Sequence, residues 1–189
     1  PGGIGIVDIR KPIGENIRAL AKAKGVETSE IRVAVLDRPR HELLIAEIRE
    51  AGAGTRLLLD GDVAGGVNAA RFDSNIDLCV GIGGTPEGII TACAVKALGG
   101  VIQGRLMPRD DDERQKAIDA GHDLSRVLEA NDLVASDNTY FVASGITSAD
   151  FVDGVRRRGP FVRTESIVMR SHSGTIRHVI SDSLADRWA

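Results

Sequence analysis

Short apolar runs alternate along the chain with segments whose apolar positions repeat at helical spacing. The apolar runs indicate strands at residues 5–9, 32–36, 56–59 and 76–80. The helical spacing predicts helices over residues 14–24, 40–51, 62–70, 85–98, 111–122 and 147–154. Because helices follow the strands in turn, the pattern predicts the α/β class.

Turn and cap residues mark the ends of several predicted elements. Residues 147–150 have the spacing of a capping box, which indicates a helix start. Past residue 160 the pattern changes to two strands, 163–170 and 174–180, which predict an antiparallel hairpin at the end of a mixed sheet. Left-handed C-terminal caps are expected at the glycines that follow three predicted helices, namely Gly25, Gly52 and Gly99.

Composition places the chain among ordinary globular proteins. With 189 residues, 42% hydrophobic and 27% charged, it is long enough for one domain with a sizeable core. The net charge is −3 and no basic face is evident, so we expect no nucleic-acid partner. No apolar run reaches the roughly 20 residues of a membrane span, and no signal-peptide pattern is present. We therefore expect a cytoplasmic protein without a membrane partner, and the start at Pro1 predicts a fragment or a processed chain.

Several chemically active residue types lack a pattern that assigns them a function. Cys79 and Cys93 lie in apolar periodic stretches, so we expect core thiols rather than a disulfide or a metal site. The charged run 109–114 predicts a solvated loop entering a helix, with metal binding by its acids as the alternative. Metal-ligand spacing is missing among His122, His172 and His178, and the absence of a Gly-x-Ser-x-Gly motif argues against a serine hydrolase.

The strongest local signal is the glycine-rich segment 80–88, which follows a predicted strand and opens a predicted helix. Thr85 suits the cap of that helix and Pro86 its first position. Glycines let backbone approach a ligand closely, and the free N–H groups of a helix start favour a phosphorylated ligand. Neither the dinucleotide fingerprint nor the P-loop fits these residues. Glu87 adds a carboxylate in the first turn, with an exposed helix-stabilising residue as the alternative.

Two further polar segments follow predicted strands. The segment Asp60-Gly61-Asp62 offers carboxylates for sugar hydroxyls or a hard cation, with ordinary turn chemistry as the alternative. The segment Arg38-Pro39-Arg40-His41 offers two guanidinium groups for a phosphate, with a surface turn as the alternative. Ligands of open α/β sheets bind at the carboxyl ends of the strands, so the three loops predict one composite site.

Together these residues resemble the class II fructose-1,6-bisphosphatases, the GlpX type of the sugar-phosphatase superfamily. Three motifs occur in family order: Arg-Pro-Arg-His at 38–41, Asp-Gly-Asp-Val-Ala at 60–64 and Gly-Ile-Gly-Gly-x-Pro-Glu-Gly at 81–88. The match continues through 103–106, 132–134, 136–138, 143–147 and 164–166, and so spans nearly the whole chain. The resemblance implies a layered fold of the fructose-bisphosphatase and inositol monophosphatase type, with a mixed sheet flanked by helices, and a homo-oligomer.

The resemblance also implies roles for single residues. It implies that the distal sugar phosphate is held by Arg38, Pro39 and Arg40, where Arg38 replaces the Lys common in the family. It implies substrate contacts by Asp60, Gly61, Asp62 and, through backbone, Gly84. Glu87 would ligate a catalytic divalent metal, Mg²⁺ or Mn²⁺. The family also has an N-terminal half that carries most metal-binding carboxylates, and the residues that activate water are expected there.

The leading hypothesis is metal-dependent hydrolysis of fructose 1,6-bisphosphate to fructose 6-phosphate and phosphate, a step of gluconeogenesis. The chain would then be a single C-terminal lobe, inactive without the N-terminal half as its partner. A related phosphatase acting on sedoheptulose 1,7-bisphosphate is one alternative, because the loops recognise phosphate and hydroxyls rather than chain length. A non-catalytic sugar-phosphate-binding module is another, and a purely structural α/β domain predicts that the three loops do not converge.

Overall fold

Three parallel strands form the first sheet. The computed structural model describes residues 5–187. Strand β1 (Arg32–Leu36) lies in the centre, between β2 (Gly54–Leu58) and β3 (Leu78–Cys79). The register aligns Val33 with both Thr55 and Leu78. The predicted strands are confirmed here: β1 has the predicted bounds, β2 begins earlier, and β3 is limited to two residues.

Helices cover both faces of this sheet. They are α1 (Ile13–Lys24), α2 (Glu42–Glu50), α3 (Asp62–Ala70) and α4 (Thr85–Ala97). On one face α1 and α2 bury alternate residues of β1, and each aliphatic side chain buried there stabilises the fold by about 1.5–3 kcal/mol. On the other face α3 packs against β1 and β3. The fully buried side chains of the first face include Ile17, Val33, Val35 and Ile48.

A small segment of short elements follows α4. Strand β4 (Gln103–Gly104) pairs antiparallel with β5 (Leu128–Glu129), and α5 (Asp111–Asp119) lies between them in sequence. The short helix α6 (Ala130–Leu133) follows β5 directly. Helix α5 buries none of its residues. This agrees with the prediction of a solvated, charged entry to a helix.

Four antiparallel strands form a second sheet. They are β6 (Tyr140–Ser144), β7 (Arg156–Arg158), β8 (Phe161–Arg170) and β9 (Thr175–Leu184). Strand β8 pairs along its whole length with β9, and its other edge pairs with β6 and β7. The predicted hairpin is confirmed as β8 and β9. The parallel and antiparallel strands lie in separate sheets, however, rather than in one mixed sheet.

The helices α3 and α4 lie between the two sheets. Their apolar residues pack against the inner face of the antiparallel sheet in a second core cluster. Helix α4 is mostly apolar around its circumference, as expected of a helix that contacts other elements on several sides. The order of layers is therefore α1 and α2, the parallel sheet, α3 and α4, and the antiparallel sheet. The second cluster contains Val67, Ala94, Ala97, Phe141, Val152, Ile167 and Met169.

Residues 5–9 do not form the predicted strand. The Asp8 carboxylate accepts hydrogen bonds from the backbone N–H and the guanidinium of Arg10, which closes a turn. The buried side chain of Asn16 accepts a hydrogen bond from the Asp8 N–H and donates one to the Asp8 carbonyl. These local hydrogen bonds use the backbone groups that strand pairing would need, and that is why an apolar run here is not a strand.

Residues 147–154 do not form the predicted helix either. The Asp150 carboxylate accepts a hydrogen bond from Asn68 on α3 instead of contributing to a capping box. The Ala149 N–H donates to the Val152 carbonyl, which closes a tight turn, and Val152 is buried in the second core cluster. Tertiary contacts therefore override the local signal.

Other boundaries follow the expected chemistry. The three glycines predicted as left-handed caps have φ values of 69°, 84° and 67° at positions 25, 52 and 99. Helix α2 begins at Glu42 rather than residue 40, because residues 39–41 form a 3₁₀ turn. Cys79 and Cys93 are free and only half-buried, so they border the core rather than fill it. Within residues 5–187 no helix has both the length and the apolar character needed to cross a bilayer.

Candidate functional site

Three loops meet at the carboxyl edge of the parallel sheet. They follow β1, β2 and β3, and they contain residues 37–41, 59–62 and 80–84, where Asp62 is also the first residue of α3. Because all three strands run in the same direction, these loops leave the sheet at one edge. We call them the arginine loop, the acidic loop and the glycine loop. Contacts join these loops to one another, whereas the structural-domain hypothesis predicted that they lie apart.

The arginine loop reaches both of its neighbours. The Arg40 Nε donates a 2.9 Å hydrogen bond to the Ile82 carbonyl of the glycine loop. The Arg38 guanidinium lies 3.8 Å from the Asp60 carboxylate of the acidic loop and donates to the Asp37 carbonyl. Both side chains keep further N–H donors for a ligand. Pro39 opens the 3₁₀ turn that carries Arg40.

His41 fixes the arginine loop to the glycine loop from inside the protein. Its side chain is 1% exposed. The Nδ1 atom lies 2.9 Å from the Leu36 carbonyl, and Nε2 accepts a 2.8 Å hydrogen bond from the Ile82 N–H. A carbonyl only accepts and an N–H only donates, so this pattern requires the neutral ring with its proton on Nδ1. In the sequence this residue was notable only for adjoining the arginine pair.

The acidic loop lies directly beside the glycine loop. A Cβ atom on Gly83 would lie 2.7 Å from the Asp62 Oδ2, so this carboxylate packs against glycine backbone. Asp60 points outward with 96% of its side chain exposed. Gly61, with φ of 82°, forms the turn between the two aspartates and precedes α3. The structure therefore places both carboxylates within the converging loops.

The start of α4 is open to a ligand. Gly84 is the N-cap and provides no side chain to bond the first N–H groups. Thr85 is already helical, so the prediction that it caps the helix is wrong, and Pro86 lies within the first two helical positions. The N–H groups of this first turn and the positive end of the helix dipole favour an anion. The Glu87 carboxylate lies against Gly84 and has no hydrogen bond or ion pair to another described residue.

The Asp62 carboxylate affects the pKa of a nearby thiol, that of Cys79. Burial, together with the nearby Asp62 carboxylate, raises the pKa of Cys79 to about 11. A thiol with this pKa stays protonated at neutral pH, so Cys79 is a weak nucleophile there. Its pKa depends on the charge of Asp62.

Glu87 is the residue at this edge that the resemblance implies as a metal ligand. Glu87 supplies an oxygen donor of the kind that Mg²⁺ and Mn²⁺ prefer. Between residues 5 and 187, however, no three His, Cys, Asp or Glu side chains are grouped as a metal site would require. The acidic run 109–114 is no exception, because Arg109 pairs with Glu113, Lys116 pairs with Asp112, and Asp110 caps α5. Glu87 thus fits as one ligand of a site completed by other residues.

One cavity adjoins the end of the glycine loop at the start of α4, and another lies away from the three loops. One, of about 780 Å³, lies between the start of α4 and the α5 segment and is bordered by Thr85, Met107 and His122. The other, of about 410 Å³, lies near the opposite edge of the parallel sheet. The converging loops themselves form an exposed surface rather than an enclosed pocket.

The chain matches known proteins over nearly its whole length. The family model described as "Bacterial fructose-1,6-bisphosphatase, glpX-encoded" matches residues 1–183. A protein of Haemophilus influenzae named fructose-1,6-bisphosphatase class 2 is 41% identical over 190 residues, which cover 94% of this chain and 57% of that protein. A protein of Escherichia coli strain K12 named fructose-1,6-bisphosphatase 1 class 2 is 36% identical over 200 residues, which cover 99% of this chain and 60% of that protein.

The chain therefore spans somewhat more than half the length of these curated relatives. The names of the relatives describe hydrolases. Residues 38–41, 60–64 and 81–88, which carry the resemblance in the sequence, are the segments that the fold brings to one edge. This chain belongs to the family of bacterial, glpX-encoded fructose-1,6-bisphosphatases.

Proposed function

We propose that this chain forms the sugar-phosphate-binding part of an enzyme that hydrolyses fructose 1,6-bisphosphate to fructose 6-phosphate and phosphate. The observation that carries the proposal is the convergence of the arginine, acidic and glycine loops in a member of this family. In the reaction, water attacks the phosphorus of the 1-phosphate and the bond from phosphorus to the sugar oxygen breaks. In this scheme the enzyme works in gluconeogenesis in the cytoplasm.

Arg38 and Arg40 would hold the phosphate that does not react. Arg40 is exposed, and only its Nε donates a hydrogen bond to the Ile82 carbonyl. Its terminal N–H groups can therefore donate to phosphate oxygens. Arg38 lies 3.8 Å from Asp60, a loose ion pair that a phosphate can replace. Pro39 lies between the two arginines and begins the 3₁₀ turn that carries Arg40. Binding the remote phosphate positions the reacting one without taking part in the chemistry.

The acidic and glycine loops would hold the sugar and the reacting end. The carboxylates of Asp60 and Asp62 can accept hydrogen bonds from adjacent hydroxyls, with Gly61 as the turn between them. The backbone of Gly84 can contact the substrate because Gly84 has no side chain of its own and no side chain hydrogen-bonds the first N–H groups of α4. A sugar phosphate needs cationic donors around its phosphate group and hydrogen-bond acceptors beside its hydroxyl groups, and these loops provide both.

Glu87 would hold one divalent metal, Mg²⁺ or Mn²⁺, beside the reacting phosphate. Such an ion supplies phosphoryl charge neutralisation and lowers the pKa of water. The carboxylate of Glu87 is free of other partners among the described residues, which suits it to this purpose. The remaining ligands would come from the part of the relatives' length that this chain does not span.

That remaining part is also the proposed partner of this chain. We assign the chain to the layered fold of fructose bisphosphatases and inositol monophosphatases, as a single C-terminal lobe of a homo-oligomeric enzyme. The outer face of the antiparallel sheet supports this assignment, because Val142 and Val179 leave 61% and 45% of their area exposed there. Apolar residues on the open face of a sheet are suited to cover by a further layer.

The test is phosphate release by a complete polypeptide that contains this chain. With Mg²⁺ or Mn²⁺ present, release from fructose 1,6-bisphosphate is expected, and it should stop when the metal is chelated. Faster phosphate release from sedoheptulose 1,7-bisphosphate would show that the enzyme is the related sedoheptulose bisphosphatase. Sugar-bisphosphate binding without any release would show a non-catalytic module instead.

A further inference from the structure

Both backbone groups of Ile82, in the middle of the glycine loop, are bonded by two adjacent side chains of the arginine loop. The Ile82 N–H donates to the His41 Nε2 at 2.8 Å, and the Ile82 carbonyl accepts from the Arg40 Nε at 2.9 Å. Within residues 5–187, these are the only hydrogen bonds that residues 81–83 make. The position of the glycine loop therefore depends on two side chains that are neighbours in sequence.

The glycine loop has little conformational preference of its own. Gly81, Gly83 and Gly84 can adopt many backbone conformations at little cost, so contacts from outside the loop must fix its path. Gly84 is the N-cap of α4, and the Glu87 carboxylate lies against it. Ile82 is only two residues before Gly84. A displacement of Ile82 would therefore move the backbone and the carboxylate that we propose for the reacting end.

The two bonds to Ile82 differ in how firmly they are held. His41 is 1% exposed, and its Nδ1 bonds the carbonyl of Leu36 at the end of β1, so this side chain is fixed to the sheet. Arg40 is exposed. A hydrogen bond in contact with water contributes little once the entropy lost by ordering a long arginine side chain is subtracted. The bond from Arg40 is therefore weak until another contact orders its guanidinium group.

We propose that the remote phosphate activates the reacting end of the substrate site through Arg40, Ile82 and His41, in addition to anchoring the substrate. This inference rests on the proposed function. A phosphate bound by the terminal N–H groups of Arg40 orders the guanidinium group, and its Nε then holds the Ile82 carbonyl firmly. His41 is a positioning residue, because it fixes the Ile82 N–H while Arg40 fixes the carbonyl. Binding energy from a part of the substrate that does not react is used here to raise turnover.

Fructose 1-phosphate together with phosphite tests this coupling in the complete enzyme. This substrate lacks the remote phosphate, and phosphite can take its place at Arg40. Saturating phosphite should speed the release of phosphate from fructose 1-phosphate by about tenfold or more. The ratio of the rates with and without phosphite does not depend on how much of a sample is folded. Phosphite that leaves the rate unchanged, or only lowers it, would overturn the proposal.

Two substitutions of His41 separate positioning from a purely structural role. Both remove the ring, but the side-chain oxygen of Gln reaches the position of Nε2 and can accept the Ile82 N–H, whereas the amide of Asn reaches only the position of Nδ1. His41→Gln should therefore keep about half or more of the phosphite activation, and His41→Asn should lose most of it. His172→Asn, at an exposed histidine, is the control and should keep it all. Equal activation in the two His41 variants would contradict the positioning role.

Arg40→Lys provides a second test at an exposed position, where folding does not depend on the side chain. Lysine keeps the positive charge that attracts phosphite but has no N–H at the position that bonds Ile82. Activation at saturation should fall about threefold or more, while the half-saturating phosphite concentration rises less than about tenfold. Unchanged activation would overturn the link through Ile82.

The same experiments distinguish failure of the coupling from failure of the proposed function. If the unaltered complete enzyme released no phosphate from fructose 1,6-bisphosphate, the proposed function and the coupling would both be wrong. Release from the bisphosphate without phosphite activation of fructose 1-phosphate would remove the coupling alone.

Discussion

At the scale of single residues, His41 holds together the two loops that carry Arg40 and Ile82. It is buried, and its two ring nitrogens satisfy the Leu36 carbonyl and the Ile82 N–H. Its ring also occupies the space beside Gly81, where a Cβ would lie 3.1 Å from its Cε1. A residue with no proposed contact to substrate therefore determines where the glycine loop lies.

His41→Phe should destabilise the protein by about 2–4 kcal/mol, because two backbone groups lose their partners in a poorly hydrated position. Urea unfolding followed by circular dichroism measures the change. His172→Phe, at an exposed histidine in the turn between β8 and β9, is the matched control and should stay within about 0.5 kcal/mol of the unaltered chain. Equal stability of both variants would show that His41 does not hold the loops.

The titration of the Cys79 thiol reports on the charge of the nearby Asp62 carboxylate. Its pKa is raised to about 11 from an ordinary value of 9.0 by burial and by Asp62, so the folded state keeps the thiol proton. The associated stability is present below pH 9 and is lost as the pH rises through about 11. In a Cys93→Ser background, ultraviolet thiolate absorbance should titrate near pH 11. Asp62→Asn should move that midpoint lower, and Asp60→Asn, at a fully exposed side chain, should not move it.

The sequence predicted which residues approach one another but not how they are connected. Residue types at strand ends were sufficient to place Arg40, Asp62 and the helix start that carries Glu87 next to one another. The actual link, a hydrogen bond from Arg40 to the Ile82 carbonyl, uses a backbone acceptor that every residue type provides. Side-chain identity therefore carries no information about it. The same limit explains Thr85, whose suitability as a cap did not reveal that the preceding glycine is the cap.

At the scale of elements, the glycine loop and the helix start depend on particular glycines. Gly81 has φ of 151° and faces His41, so Gly81→Ala should destabilise the protein by about 1–3 kcal/mol through backbone strain and crowding. Gly88 lies within α4 with no atom near the position of a Cβ, so Gly88→Ala should stabilise by up to about 1 kcal/mol. Urea unfolding of both variants tests the pair. Destabilisation of similar size at both positions would contradict this account.

Helices and strands were predicted correctly where contacts between residues close in sequence determine them, and incorrectly where contacts between distant residues do. The bounds of α3 were predicted to the residue, since its apolar spacing and the preceding turn are local features. The predicted helix at 147–154 is absent because Asp150 bonds Asn68, 82 residues away in sequence. The two sheets were merged into one mixed sheet in the prediction for the same reason. Strand pairing across long separations is not encoded in local periodicity.

At the scale of the whole molecule, the chain spans about 57–60% of the length of its relatives. Glu87 is the one metal ligand that we propose at the loop edge, whereas phosphoryl transfer with metal ions uses ions held by several ligands. The 189 residues alone should therefore release no phosphate from fructose 1,6-bisphosphate above the rate in buffer. Addition of the remaining segment of the polypeptide should produce metal-dependent release. Turnover by the isolated chain would contradict the prediction.

Two variants of the complete enzyme separate binding from chemistry. If Arg40 holds the remote phosphate as proposed, Arg40→Ala removes charge-assisted hydrogen bonds to it, so KM should rise about 10-fold to 100-fold with a smaller change in kcat. Glu87→Gln keeps the size of the side chain and removes its negative charge, so kcat or the affinity for Mg²⁺ or Mn²⁺ should fall while KM changes less. Steady-state kinetics over a range of metal concentrations measure both effects. Arg114→Ala and Glu47→Gln, at exposed positions on α5 and α2, are the matched controls and should keep unaltered kinetics. A fall in kcat alone for Arg40→Ala, or a change in KM alone for Glu87→Gln, would contradict the proposed roles of these two residues.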